Sequence, residues 1–182
     1  MARMGQYLAL LRAVNVGSNK VIMAELRDLF ADLGFGGART HLQTGNVVFT
    51  AGTADRAGLA AAISAAIADR MGVTSTVLLR SRDELAAALD ADPYGARGID
   101  PARRFLTFLG AAPDAELAAA LDPAYGTPDE HALGDRVVYV HCPNGYGRTK
   151  LSNAYFERRL KVPATSRGQR VAAALLDLMD GR

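Results

Sequence analysis

The chain has 182 residues, of which 49% are hydrophobic and 22% are charged. These values are ordinary for a globular protein, exclude a disordered chain, and leave room for one large domain or two small ones. The formal net charge of +2 is too small to indicate a nucleic-acid partner by itself. The single cysteine, Cys142, excludes a disulfide framework within the chain and favours a reducing, cytoplasmic compartment.

The first half of the chain has the hydrophobic pattern of a β-α-β-β-α-β unit. Tyr7–Leu11 predicts a buried strand, and Arg12 ends this apolar run too early for a signal peptide or a membrane span. The remaining predicted elements are a helix from Met23 to Leu33, a hairpin of strands 39–43 and 46–50 around Thr44-Gly45, a helix from Leu59 to Met71, and a strand at 76–79. This order is that of ferredoxin-like folds.

A connector separates this unit from a second run of elements. Ser81 and Glu84 form a capping box that predicts a short helix to about Leu89, and turns follow over residues 92–101. The later predicted elements are a strand at 105–109, a helix from 113 to 121, two strands around Gly134-Asp135, a helix at 151–160, a short strand at 164–167 and a last helix through Leu175.

The two runs repeat one pattern with a period of about 98 residues. The repeat aligns Leu8 with Leu106, and it aligns Val47 with Val137 less well. The sequence therefore predicts an α+β fold of two βαββα-type halves, the N-terminal half ferredoxin-like with an antiparallel sheet and helices on one face. The expected division is a ferredoxin-like subdomain at residues 1–98 and a second α+β subdomain at 99–182.

The common catalytic and cofactor-binding motifs are absent from the sequence. It contains no G-x-S-x-G element, no Walker A loop, no H-E-x-x-H pair and no G-x-G-x-x-G. His141 and Cys142 are neighbours on a predicted strand, where successive side chains point to opposite faces, so they cannot readily hold one metal ion. We therefore expect no metal or cofactor site and assign no catalytic residue. Cys142 is expected to be a small buried hydrophobe rather than a nucleophile.

The basic residues are concentrated near the C-terminus. From Gly145 onward eight basic residues stand against three acidic ones, a net +5, whereas the first 144 residues have a net charge of −3. A glycine-containing loop in this segment leads into the predicted helix, with Arg148 and Lys150 where the helix starts and Asn153 just inside it. Helix N-termini bind phosphate and carboxylate groups, and a bound anion would offset cations that oppose the helix dipole. Solvated Arg and Lys on a loop are the alternative interpretation.

Two loops of the first half also have a polar composition that packing against a hydrophobic core does not explain. The loop from Arg12 to Lys20 follows the first strand and mixes Asn15 with glycine and serine, a composition that exposes backbone N–H groups beside side-chain donors. Gln43 and Asn46 flank the predicted hairpin turn and offer both donors and acceptors. A need for positive φ at the Asn and Gly positions is the alternative interpretation of both loops.

These segments resemble those of a bacterial family, domain of unknown function 1697. The resemblance rests on Leu11–Gly17, Met23–Leu26, Gln43–Phe49 and Gly147–Asn153, in this order over nearly the whole chain. It implies a two-part α+β fold with a ferredoxin-like N-terminal half. It implies no activity, because the family has no assigned function.

The sequence departs from the family pattern at two places. Ala13 and Ser18 stand where glycines are usual. Of a T-x-R-N-W element near the C-terminus, Thr165 and Arg167 are retained, whereas glycine and glutamine replace the Asn and Trp. Arg167 is therefore a candidate through the resemblance alone.

Binding of a phosphorylated or otherwise anionic small molecule is the function that these patterns favour. The candidate binding residues are Arg12, Asn15, Lys20, Gln43, Asn46, Arg148, Lys150, Asn153 and Arg167. Three alternatives stay open: an enzyme that uses His41, His131 or an acidic residue, a nucleic-acid-binding module that stacks bases on its sheet, and a structural module that pairs sheet edges between chains. An aromatic content of 7% argues against nucleic acid, and no membrane partner is expected.

Overall fold

The computed structural model describes residues 4–182, which fall into two units. Unit 1 ends at Glu84 and includes Leu175–Arg182 from much later in the chain, and unit 2 is Leu85–Ala174. Each unit contains one four-stranded antiparallel sheet with helices. The predicted α+β fold of two similar halves is confirmed.

Unit 1 is a complete β-α-β-β-α-β element. Its strands and helices are β1 Gly5–Leu11, α1 Met23–Asp32, β2 Gly36–Thr40, β3 Asn46–Ala51, α2 Arg56–Met71 and β4 Val77–Ser81. The sheet order is β2-β3-β1-β4, with every neighbouring pair antiparallel, which is the ferredoxin-like arrangement. Apolar residues at helical spacing bury one side of each helix, so Phe30 of α1 and Ile63 of α2 share one core with Phe49 of β3.

Unit 2 repeats this topology. The elements from Arg82 onward are α3 Arg82–Asp90, α4 Pro93–Ala96, β5 Arg104–Leu109, α5 Ala115–Ala119, β6 Glu130–Leu133, β7 Val137–His141, α6 Asn153–Leu160, β8 Ala164–Gly168 and α7 Gln169–Met179. The sheet order is β6-β7-β5-β8, the same order as in unit 1. The predicted short strand at 164–167 is confirmed as β8, so the repeat is one strand longer than the βαββα pattern.

The strand register shows how closely the two sheets correspond. The cross-strand partners are Leu8 with Val48 and Arg80, and Leu106 with Tyr139 and Arg167. Leu8 therefore corresponds to Leu106 as predicted, whereas the alignment of Val47 with Val137 is wrong by one residue. Arg80 and Arg167 are both buried, and Nη1 of each donates to the carbonyl of the residue before it, at 2.9 Å in both units.

The connection between β2 and β3 is longer than the predicted two-residue turn. β2 ends at Thr40 and β3 begins at Asn46. Nδ2 of the fully buried Asn46 donates to the carbonyl of His41 at 3.0 Å and to Oγ1 of Thr44 at 2.8 Å. The predicted hairpin is confirmed, since β2 and β3 pair antiparallel. Its predicted two-residue turn is wrong because the Asn46 amide closes a five-residue loop, in which Leu42 adopts φ +57°.

A buried ion pair stabilises the connector of unit 2. Oδ1 of Asp92 accepts a hydrogen bond from the N–H of Tyr94 at 3.0 Å and so caps α4. Its Oδ2 accepts from Nη1 of Arg104 at 2.7 Å, with the two side chains 3% and 12% exposed. Gly95 lies close to this pair, since a Cβ there would be 2.6 Å from Nη1 of Arg104. The absence of a side chain at Gly95 therefore admits the guanidinium.

The end of α7 completes unit 1. Nε2 of Gln6 donates to the carbonyl of Met179 at 3.0 Å, and Nη2 of Arg39 donates to that of Leu178 at 2.6 Å. Nε of Arg82 pairs with Oδ1 of Asp180 at 2.8 Å. These bonds attach the last turn of the helix to β1, β2 and the start of α3.

The helices are short. The longest in residues 4–182 is α2, with 16 residues, which at 1.5 Å per residue spans about 24 Å. The hydrocarbon core of a bilayer is about 30 Å thick. Within the described chain no helix combines the length and the apolar character that a membrane crossing needs.

Candidate functional site

Unit 2 contains a cavity of about 220 Å³ beside the loop that precedes α6. Its lining residues are Gly126, Thr127, Pro128, Asp129, Asn144, Gly145, Arg148 and Lys150. They belong to two loops, one between α5 and β6 and the other between β7 and α6. In liquid water roughly seven molecules occupy this volume, at about 30 Å³ each. The cavity therefore suits a ligand with few heavy atoms.

Packing at Gly126 and Leu151 holds the two loops together. Gly126 has φ +90°, and a Cβ there would lie 3.1 Å from Cγ of Leu151. Glycine permits both this backbone conformation and this close approach. Leu151 is fully buried, and Tyr125 stacks on Tyr155 of α6 with ring centroids 4.3 Å apart. The cavity therefore rests on a packed base.

Two of the predicted cations, Arg148 and Lys150, line the cavity. Both residues are exposed. Neither side chain has a hydrogen-bond or ion-pair partner within residues 4–182. A concave surface that carries unpaired positive charge concentrates anions, so the cavity is electrostatically suited to a negatively charged group.

The helix after this loop begins later than predicted. α6 starts at Asn153, and the N–H of Tyr155 donates to Oγ of Ser152 at 3.2 Å. A single 3-10 turn that ends at Arg148 precedes it. The predicted position of Arg148 and Lys150 at the start of the helix is wrong because Ser152 already caps it. Any affinity of this loop for anions therefore belongs to the two side chains and not to the helix dipole.

The cavity also contains a carboxylate that no sequence motif indicates. Asp129 lines the cavity and is 9% exposed. Its N–H donates to the carbonyl of Gly126 at 3.0 Å, which holds the turn before β6. Among the described residues its carboxylate has no partner and forms no ion pair with Arg148 or Lys150. Its oxygens are not among the fully enclosed side-chain atoms that lack a partner, so they touch solvent in the cavity, where a ligand can reach them.

Cys142 lies at the base of the same loops as a protonated thiol. It is fully buried and packs in the core of unit 2 with Leu151 and Phe156. Burial raises the pKa of Cys142 to about 11, the charge of Asp129 adds to this rise, and a hydrogen bond with Thr149 opposes it. The predicted buried position is confirmed, and the raised pKa disfavours a nucleophilic role.

Comparison with known proteins places the chain in a family. Residues 4–139 match a protein family of unknown function, DUF1697. The chain belongs to this family. Its fold resembles that of the conserved bacterial protein SP0830 from Streptococcus pneumoniae, with a TM-score of 0.72 and 23% identity over 98% of this chain and 99% of that chain. No curated protein matches the chain.

The two DUF1697-like motifs of unit 1 meet in one loop cluster. Nδ2 of Asn15 donates to the carbonyl of Gln43 at 2.7 Å and to that of Val21 at 3.0 Å. The amide of Asn46 binds the carbonyl of His41 in the same cluster. The structure therefore brings Asn15, Gln43 and Asn46 together, with both Asn amides bound to backbone carbonyls. None of the three lines the unit 2 cavity.

Arg12 and Lys20 lie at the two ends of the loop after β1. Arg12 is half-buried, and its N–H donates to the carbonyl of Thr76 at 2.9 Å while its own carbonyl accepts from Oγ of Ser75 at 2.8 Å. Lys20 is exposed. Neither residue lines the unit 2 cavity, so the loop after β1 contributes no cation to it.

Ala13 has a backbone conformation that favours glycine. It adopts φ +58°, in the left-handed region where an L side chain costs roughly 1–2 kcal/mol. Asn15, two residues later, has φ +55°, a conformation that asparagine tolerates better than most residues. Alanine at this position therefore introduces local strain.

Two further candidates, Asn153 and Arg167, lie outside the cavity. Oδ1 of Asn153 accepts from Oγ of Ser166 at 2.6 Å, and that Oγ accepts from the hydroxyl of Tyr146 at 2.8 Å. Arg167 on β8 is buried, and burial lowers its pKa to about 10. Nη1 of Arg167 donates to Oγ1 of Thr165 at 2.8 Å, which gives both residues a role within the sheet.

A second and more open cavity, of about 500 Å³, lies in unit 1. Arg56 and Arg82 are among its lining residues. Nη1 of Arg56 pairs with Oε1 of Glu84 at 2.7 Å, and Arg82 pairs with Asp180. Since both guanidinium groups already face carboxylates, this cavity attracts an anion less than the cavity of unit 2 does.

Proposed function

We propose that this protein binds a small molecule with a phosphate or carboxylate group in the cavity of unit 2. The observation that carries the proposal is the pair of cations, Arg148 and Lys150, that line the cavity without an ion-pair partner in the described chain. Hydrogen bonds from charged donors to anions are roughly twice as strong as neutral ones.

The two cations would act differently on such a ligand. The Arg148 guanidinium is planar and can donate two parallel hydrogen bonds to one phosphate or carboxylate, which fixes the orientation of that group. The Lys150 ammonium acts as a point charge on a flexible stem. We therefore assign orientation mainly to Arg148 and added affinity to Lys150.

Base stacking on the sheets is not supported by the exposure of their residues. RNA-binding proteins of this fold class stack bases on aromatic side chains of the sheet surface. Leu8 and Val48 of unit 1 are at most 1% exposed, and Phe108 and Tyr139 of unit 2 are at most 3% exposed. These positions are closed to a stacked base, which leaves the cavity as the better supported site.

Thermal unfolding in the presence of phosphate, sulfate and acetate at constant ionic strength tests the proposal. We expect phosphate to raise the Tm of the wild type and Arg148→Ala and Lys150→Ala to lose the shift. A ligand at 100 times its Kd stabilises by about 2.7 kcal/mol, which corresponds to a Tm rise of roughly 5–11 °C for a chain of this size. The control is Arg158→Ala, which removes an exposed cation from the last turn of α6.

The outcomes separate a site from general charge screening. The proposal predicts that Arg158→Ala keeps the full phosphate shift. A similar loss in all three variants would attribute the shift to net charge and contradict the site. The absence of any shift in the wild type at high anion concentration would overturn the proposal outright.

A further inference from the structure

The buried carboxylate in the cavity narrows the class of anion. We infer that the ligand carries an ammonium group beside its phosphate, so that Asp129 binds the ammonium while Arg148 and Lys150 bind the phosphate. In chemical terms the ligand is a short aminoalkyl phosphate. This inference rests on the proposed function, and it goes further by assigning the second charged group of the ligand.

The first step is the state of Asp129 without a ligand. Its carboxylate lines the cavity at 9% residue exposure and has no donor among residues 4–182. Its oxygens are not enclosed by protein, so they remain open to a donor from a ligand in the cavity. A primary ammonium supplies three N–H donors and a full positive charge, which is the chemistry that compensates such a carboxylate best.

The second step is the charge balance of the cavity. Its lining includes two cationic side chains and one anionic side chain, a net +1. A phosphate monoester carries about −1.5 to −2 at pH 7, so an aminoalkyl phosphate has a net charge close to −1 and complements the lining. Inorganic phosphate would instead place its whole charge beside Asp129, and this repulsion selects against it.

The third step concerns what else the carboxylate could hold. In the described part of the chain no group of three or more His, Cys, Asp or Glu side chains is arranged to bind a metal ion. The cation that Asp129 is suited to meet is therefore a group of the ligand itself. The cavity volume of about 220 Å³ further restricts the link between ammonium and phosphate to a short chain.

Isothermal titration calorimetry in the presence of EDTA tests the inference with four probes. These are O-phosphoethanolamine, phosphocholine, glycerol 3-phosphate and inorganic phosphate. The wild type should bind O-phosphoethanolamine roughly 10- to 100-fold more tightly than the other three, the usual range for a hydrogen-bonded charge pair. Phosphocholine keeps the positive charge without N–H donors, and glycerol 3-phosphate offers hydroxyl donors without the charge.

Asp129→Asn should remove this preference. We expect it to weaken O-phosphoethanolamine binding by at least tenfold and to leave inorganic phosphate binding unchanged or tighter, because the like charge is gone. The matched control is Asp135→Asn, which neutralises a carboxylate of unit 2 that is 94% exposed. That control should bind all four probes as the wild type does.

Failure of the inference and failure of the proposed function give different results. Equal wild-type affinities for O-phosphoethanolamine and glycerol 3-phosphate, or a preference that survives Asp129→Asn, would overturn the ammonium assignment and leave phosphate binding intact. Binding that EDTA abolishes would overturn it in favour of a bridging metal ion. If the wild type binds none of the four probes, both conclusions fall. The wild-type affinities for the four probes test the ammonium assignment even if Asp129→Asn does not fold.

Discussion

Replacing Asp92 with asparagine should destabilise the protein far more than replacing Asp100 with asparagine. The two aspartates form a matched pair, since each precedes a proline. Each also caps a short turn, with Oδ1 of Asp92 accepting from the N–H of Tyr94 at 3.0 Å and Oδ1 of Asp100 from that of Ala102 at 2.8 Å. Asparagine is as good a cap as aspartate, so both substitutions keep the cap and remove only the charge.

The two positions differ in the burial of the arginine that each aspartate faces. The Asp92–Arg104 pair has an N–O distance of 2.7 Å and side chains 3% and 12% exposed, whereas the Asp100–Arg170 pair has 3.4 Å and side chains 60% and 69% exposed. Asp92→Asn leaves a buried guanidinium without its counter-charge. Breaking a buried pair costs 3–5 kcal/mol, and we expect about 3 kcal/mol because asparagine keeps an oxygen acceptor. The exposed pair contributes about 0–1 kcal/mol.

Thermal and urea denaturation followed by circular dichroism at pH 7 would measure the difference. A loss of about 3 kcal/mol lowers Tm by roughly 6–12 °C for a chain of this size, and a loss below 1 kcal/mol lowers it by less than about 4 °C. Arg104 has a buried Nε without a hydrogen-bond partner in the described structure. Asp92 is therefore the main group that offsets the cost of burying the guanidinium charge. Equal Tm values for the two variants would refute the assignment of a special cost to the buried pair.

Three other predictions follow from the structure. Ala13→Gly should raise Tm by about 2–4 °C, since glycine removes roughly 1 kcal/mol of strain at φ +58°; an unchanged or lower Tm in a melting experiment would contradict this. Cys142 should resist a water-soluble disulfide reagent at pH 8 until the protein is unfolded, because the thiol is buried and its pKa is raised to about 11; rapid modification of folded protein would disprove it. Burial raises the pKa values of Tyr94 and Tyr139 from 10.0 to about 12, so the unfolded chain loses these protons first and the free energy of unfolding should fall as pH rises from 10 to 12. Urea titrations showing a constant free energy of unfolding over that range would count against the tyrosine assignment.

Features of the fold with local signals were predicted best. The N–H of Ser81 donates to Oε2 of Glu84 at 2.8 Å, and the N–H of Glu84 donates to Oγ of Ser81 at 3.2 Å, which is the reciprocal capping box that the spacing predicts. The pattern predicts a helix from Leu151, two residues before α6 begins, because Ser152 caps the helix at Asn153. Leu151 instead fills the base of the cavity.

The cavity was only partly predictable for a different reason. Arg148 and Lys150 stand out by charge in any inspection of the sequence, so their presence there agrees with a sequence-based expectation. Asp129 is one acid among 19 Asp and Glu residues, and its importance arises from burial against a loop that lies well downstream. Asn15 and Asn46 suit either a ligand or a loop carbonyl, and hydrogen-bonding capacity alone does not distinguish these partners.

The attachment of Leu178, Met179 and Asp180 to unit 1 has a consequence for biosynthesis. The ribosome adds Gln6, the partner of Met179, to the growing chain long before it adds Leu175. The residues of unit 2 all lie within Leu85–Ala174, whereas unit 1 also needs Leu175–Arg182. The half that is translated first is therefore the half whose last residues are translated last, so unit 1 cannot be complete before all of unit 2 has been synthesised.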